Sequence, residues 1–158
     1  MSCITKLLEL KGNNEILRVN EDVVIEGGGK YKDYEYLITF TSCGTRCAYV
    51  ALKQKETEIF DKQASKDDYF YPDLNCHGGV TFYGNSPIKD ILPASCDDKW
   101  VGFDANHGSD KRDVEKLQRY FPNDLIHDYL YTRPGTIKSY DYMKKECHGI
   151  INQLLEIQ

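Results

Sequence analysis

An α+β fold, a small antiparallel β-sheet packed by C-terminal helices, is what this sequence of 158 residues predicts from three observations. Strand-like alternation dominates the chain up to residue 104. Helical spacing of apolar residues dominates after residue 113. Strands grouped ahead of helices, in place of strict β–α alternation, indicate α+β architecture. The length suits a single domain over residues 1–158 and is enough to bury a real core.

In chain order, Leu7, Leu8, Leu10, Ile16, Leu17 and Val19 give a short apolar N-terminal stretch. Val23-Val24-Ile25 reads as a brief strand closed by Gly27-Gly28-Gly29. These glycines are read as a flexible turn, because no helix follows to make them a phosphate loop. Residues 34–41 alternate, with Tyr36, Ile38 and Phe40 on one face and Leu37, Thr39 and Thr41 on the other. Ser42-Cys43-Gly44-Thr45 is a turn, and residues 46–52 return as the second strand of a hairpin. Residues 53–75 are polar and read as a long loop, which in a compact domain points to function or mobility. Its end carries Asp67, Asp68, Tyr69 and Tyr71, an acidic and aromatic combination expected of a partner-binding loop. A loop that merely packs back on the domain would read the same way.

Two further strands are expected at 79–84 and 99–104, with Val80 and Phe82 on one face of the first and Val101 and Phe103 on one face of the second. Val114, Leu117 and Phe121 mark a helix stopped by Pro122, and residues 123–131 suit another short one. The clearest helix spans about 137–156. Its apolar stripe is Ile137, Tyr140, Met143, Cys147, Ile150, Ile151, Leu154 and Leu155.

The net charge is −5, and the densest charged run, residues 110–116, is mixed in sign. No basic patch suits a nucleic-acid backbone, and no apolar stretch suits a membrane. The N-terminus lacks an export signal, so a reducing cytoplasm is expected. The six cysteines should then be free or metal-bound.

The chemistry-bearing residues lie where strands end. His77 precedes the 79–84 strand, and His107 follows the 99–104 strand, three residues after Asp104. If those strands pair antiparallel, the start of one lies beside the end of the other, and His77 meets Asp104 and His107. Asp110, three residues further on, either reaches the same point or caps the helix that follows. Imidazole nitrogens with carboxylate oxygens form a donor set suited to Zn²⁺. A histidine that is merely hydrogen-bonded, and an aspartate that merely caps a turn, remain the plainer readings. Cysteine ligation from Cys43, Cys47 and Cys76 is the competing arrangement, but it lacks zinc-module spacing. A Cys76–His107 nucleophile pair has no orienting third group. Nucleophile-elbow, zincin and P-loop motifs do not occur.

The blocks Cys76-His77-Gly78-Gly79-Val80-Thr81-Phe82-Tyr83-Gly84 and Trp100-Val101-Gly102-Phe103-Asp104-Ala105-Asn106-His107-Gly108-Ser109-Asp110 resemble those of a family of small phage and prophage proteins. Residues 44–50, and 135–155 with Tyr142 and Glu146, resemble its hairpin and C-terminal helix, so the resemblance spans most of 44–155. The 53–75 segment departs from it, lacking a His-Pro pair common in that family. The resemblance implies a structural metal, zinc first, at His77, Asp104 and His107, with Asp110 matching as well. The chain is also similar to zinc-containing anti-CRISPR proteins of type II-A systems. This implies a phage-encoded inhibitor that blocks Cas9 in the cytoplasm of an infected bacterium and is not an enzyme. The acidic balance would then favour a basic nuclease surface. The alternatives are a metal-dependent hydrolase and a sponge for a nucleotide signal, the latter with Tyr69, Phe70 and Tyr71 stacking on bases.

Overall fold

Alternating apolar residues on the central strands set the architecture in this computed structural model, which describes residues 3–87, 98–123 and 135–157. The elements in order are α1 (Cys3–Lys11), β1 (Leu17–Arg18), β2 (Val23–Tyr31), β3 (Tyr34–Thr41), β4 (Arg46–Ala51), α2 (Gln54–Ala64) and β5 (Phe82–Gly84). After these come β6 (Trp100–Asp104), β7 (Asp110–Lys111), α3 (Val114–Tyr120), β8 (Thr136–Ile137) and α4 (Tyr140–Leu155). Six strands form one antiparallel sheet in the order β1-β2-β3-β4-β6-β5, and helices pack on it, α4 above all. The predicted α+β class is the observed one. A separate parallel pair joins β7 to β8.

Both sheet faces are covered, which is why β3 is buried at nearly every position. One face carries Tyr36, Ile38, Ala48, Val50, Val101 and Phe103 against Met143, Cys147, Ile150, Ile151 and Leu154 of α4. The other carries Ile25, Leu37 and Trp100 against Cys3, Ile4 and Leu7 of α1. The α4 stripe is therefore core, as its spacing predicts, except at its ends. Ile137 and Leu155 are exposed, because the helix begins at Tyr140 and residue 155 is its last.

Several local expectations are corrected. The glycines 27–29 are not a turn. They continue β2, and the hairpin turns at Lys32 and Asp33, both with positive φ (+48° and +67°), as in a tight two-residue turn. Gly28 serves close approach instead, since a Cβ there would lie 2.4 Å from the Tyr36 carbonyl oxygen and 2.7 Å from Ile4 of α1. The N-terminal apolar stretch is in part the helix α1.

Residues 54–64 form α2, not loop. Ile59 and Phe60 are its only large apolar residues, too few to register as a stripe. Lys53 is a poor cap, and Glu56 compensates by accepting a hydrogen bond from the Lys53 amide at 2.9 Å. Glu56 is fully buried and also accepts from the Tyr34 hydroxyl at 3.0 Å.

Cys3 is disulfide-bonded, so the expectation of free or metal-bound thiols fails there. It holds for Cys43, Cys47, Cys76 and Cys147, which are free. The helix expected at 123–131 and His127 lie outside the described residues. Among the described residues, no helix is long and apolar enough to cross a membrane.

Arg46 ties the sheet to the segment that begins α4. Its guanidinium is 3% exposed and donates to Glu26 from Nε at 2.6 Å and from Nη2 at 3.1 Å. Nη1 reaches the Lys138 carbonyl at 3.0 Å and the Asp113 carboxylate at 3.1 Å. A planar fork is needed to satisfy partners in three directions. Arg46→Ala leaves the buried Glu26 carboxylate without its cation, so a loss of about 3–5 kcal/mol is expected in urea unfolding. Arg46→Lys should recover only part of it.

Candidate functional site

Two reverse turns and the start of α4 assemble the site. After β6, the Asp104 carboxylate accepts from the Asn106 amide at 3.1 Å and bends the chain. The chain turns again at 107–110, where the Asp110 amide donates to the His107 carbonyl at 2.9 Å. Asp110 then enters β7, whose pairing with β8 brings the chain before α4 alongside. From the other direction, Cys76 to Gly79 forms a turn closed by the Gly79 amide donating to the Cys76 carbonyl at 3.0 Å. The supposed antiparallel pairing with β6 is present over a shorter stretch than the expected 79–84 strand, Phe82–Gly84 against Trp100–Gly102, with residues 79–81 outside the strand.

His77, Asp104, His107 and Asp110 are brought together by these turns, coupled as two His–Asp pairs. His77 Nε2 lies 2.8 Å from Asp110 Oδ2, and His107 Nε2 lies 3.3 Å from Asp104 Oδ1. The two imidazole centroids are 5.7 Å apart. The pairing differs from the expectation in one respect: the structure gives His77 a contact with Asp110, and gives Asp104 contacts with His107 and Thr81. Asp110 does not cap α3. Asp113 does, accepting from the Lys116 amide at 3.2 Å, because the helix starts at Val114.

Asp110 is the anchor. Its side chain is 1% exposed and faces His77, the His107 amide at 3.0 Å and the Lys138 ammonium at 3.1 Å. Burial pushes this carboxyl up, but the hydrogen bonds from His77, the His107 amide and Lys138 outweigh it and hold the group below the usual carboxylate range. His77 is fixed from its far side, with Nδ1 2.9 Å from the Tyr142 hydroxyl. Lys138 and Tyr142 are the residues that sequence reasoning assigned no role in the site. Lys138 lies just before α4 and Tyr142 on its first turn, and no local spacing links either to residue 77 or 110.

Gly78 lies under the His107 ring with φ +70°. A Cβ there would fall 2.1 Å from His107 Nε2. Only glycine lets the ring close over this turn.

Among the described residues, no three His, Cys, Asp or Glu side chains are arranged to hold a metal ion. Two observations nevertheless fit a cation. His107 Nε2 is a buried polar atom with no hydrogen-bond partner, 3.3 Å from Asp104 Oδ1. The spacing is also suitable. Tetrahedral bonds of about 2.1 Å place neighbouring donor atoms about 3.4 Å apart and ligating imidazole centroids about 5–6 Å apart. The His107–Asp104 distance and the ring separation match this, while the His77–Asp110 hydrogen bond must open by roughly half an ångström. Two imidazoles and two carboxylates are a zinc-type donor set.

The thiols are less suitable. Burial, the largest cause, with help from Asp104 at Cys47 and Glu146 at Cys76, raises both to about 11, so they are neutral thiols near pH 7.

The residues expected to bind a partner follow α2. Tyr69 is 89% exposed and Tyr71 53%, and Asp67 and Asp68 are exposed beside them. Phe70 between them turns inward against Phe60 and Tyr83, so the three-ring stacking surface imagined for a nucleotide is reduced to two rings. A separate cleft of about 370 Å³ is lined by Glu15, Glu26, Arg46, Tyr120 and Tyr140 among others, and its Arg46–Glu26 and Lys116–Glu15 pairs neutralise each other.

Comparison with family models, with curated proteins and with solved structures gives no match.

Proposed function

We propose that this protein is a binding protein without turnover, stapled by one zinc-class cation held by His77, Asp104, His107 and Asp110. The observation that carries this is the buried Nε2 of His107, which makes no hydrogen bond and lies 3.3 Å from Asp104 beside the His77–Asp110 pair. A structural role fits the surroundings. The four residues join the turn before β5 to the turn after β6, and through Lys138 and Tyr142 they reach α4. Cross-linking distant segments is what a structural metal contributes to folding.

The partner class we propose is a basic bacterial defence nuclease, with Cas9 the first candidate. It rests on the resemblance to phage inhibitors, the net charge of −5 and the outward Tyr69 and Tyr71. Pro72 and Leu74 are buried and Phe70 is half-buried while the two tyrosines beside Phe70 face out, and an exposed aromatic pair flanked by aspartates suits a basic surface. Tyr69→Ala with Tyr71→Ala should weaken such a complex at least about tenfold, with unchanged thermal melting of the free protein. Pull-down at low salt is the test, and no complex with Cas9 removes that candidate.

A metal-dependent hydrolase is the second reading. It is favoured by the partial exposure of the Asp104 and His107 side chains, 33% and 38%, which leaves one side of the site open to solvent. A panel of phosphoester substrates separates the two readings, because metal-dependent turnover excludes a purely structural role.

A further inference from the structure

We infer that Tyr142, on the first turn of α4, is the positioning residue of the cation site, holding His77 by Nδ1 so that Nε2 faces inward. This deepens the cation reading above and rests on it. His77 can reach the cluster with only one ring nitrogen at a time. The Tyr142 hydroxyl is 2.9 Å from Nδ1, and Asp110 Oδ2 is 2.8 Å from Nε2. The imidazole is thus gripped at both nitrogens. The tyrosine ring also meets the imidazole edge-on, with centroids 5.5 Å apart at 87°.

A hydroxyl can both donate and accept. When Nε2–H donates to Asp110, the hydroxyl donates to Nδ1. When Nε2 offers its lone pair to a cation, Nδ1–H donates to the hydroxyl oxygen. The ring therefore keeps one orientation in both states. Partners on the far nitrogen commonly fix metal-bound histidines in this way, and losing one costs 10–100-fold in affinity.

The supporting geometry is local. The Ser139 hydroxyl accepts from the Tyr142 amide at 3.1 Å and fixes the first turn of α4. Lys138, one residue earlier, meets the other oxygen of Asp110 and is itself held by the Thr136 carbonyl at 3.1 Å and the Thr136 hydroxyl. One short segment thus steadies a histidine and an aspartate of the site together.

The test is Zn²⁺ affinity of the full chain by competition with a chromophoric chelator, for the natural sequence, Tyr142→Phe and His107→Ala. Ring ¹⁵N shifts of His77 are recorded with and without Zn²⁺. Tyr142→Phe keeps the ring packing and loses only the hydroxyl. The expected result is Zn²⁺ binding by the natural sequence, none by His107→Ala, and binding 10–100-fold weaker by Tyr142→Phe. The ¹⁵N pattern of His77 should show Nε2 on the ion and Nδ1 protonated. If the natural sequence binds no Zn²⁺, the cation reading itself fails. If it binds, and Tyr142→Phe binds equally well or Nδ1 is the ligating nitrogen, the positioning role alone is overturned.

Discussion

Asp110→Ala is expected to destabilise the protein by about 3–5 kcal/mol even with a chelator present, because it removes the anion from a buried set of donors. The carboxylate is 1% exposed, and His77 Nε2, the His107 amide and the Lys138 ammonium all face it. Removing it leaves a cation and two N–H groups without their acceptor, and in a poorly hydrated place that costs more than the lost hydrogen bonds alone. For a chain of this length the change corresponds to about 10 °C in Tm, read by thermal unfolding in EDTA. Asp110→Asn keeps the shape and one acceptor oxygen and should recover part of the loss. A shift below 2 °C for Asp110→Ala would show that the buried carboxylate does not hold these segments together.

Saturating Zn²⁺ is expected to raise Tm by roughly 10 °C, since a ligand at 100–1,000 times its Kd adds about 2.7–4.1 kcal/mol to the folded state. The sign follows from linkage, as the four donors lie in distant parts of the chain and converge only on folding. His107→Ala should abolish this gain. In EDTA the same variant should melt within a few degrees of the natural sequence, because the His107 side chain is 38% exposed and its Nε2 makes no hydrogen bond. This contrast separates the two residues: Asp110 matters with or without a cation, and His107 only with one. Equal Zn²⁺ stabilisation of the natural sequence and His107→Ala would contradict the assignment.

Much of the framework was legible in the sequence for identifiable reasons. The helical stripe through Met143, Cys147, Ile150 and Leu154 buries one coherent face, and the alternation of residues 34–41 sends Tyr36 and Ile38 to the α4 side and Leu37 to the α1 side, so periodicity reports both. The antiparallel pairing of β5 and β6 was a supposition suggested by the histidine before one segment and the aspartate at the end of the other, and it holds over Phe82–Gly84. Other parts were not. α2 buries little beyond Glu56 and Phe60, and a buried glutamate looks in sequence like one more solvated charge. Gly27 to Gly29 gave the signature of a turn, while the actual turn places Lys32, which has no preference for positive φ, before Asp33, which tolerates it.

At the site, His77, Asp104, His107 and Asp110 were nameable because each sits at a strand end or in the turn beyond it. Their pairing was not, since it depends on how the 107–110 turn closes and on where β8 lies. Tyr142 and Lys138 reach the site only through the docking of α4, a tertiary contact spanning 65 positions between His77 and Tyr142.

The most direct measurement of the central claim is an anomalous difference map at the zinc edge from crystals grown with one equivalent of Zn²⁺. The account predicts one peak per chain, at bonding distance from Nε2 of both His77 and His107 and from the carboxylates of Asp104 and Asp110. A map with no peak there, or with its only peak at the cysteines, would contradict it.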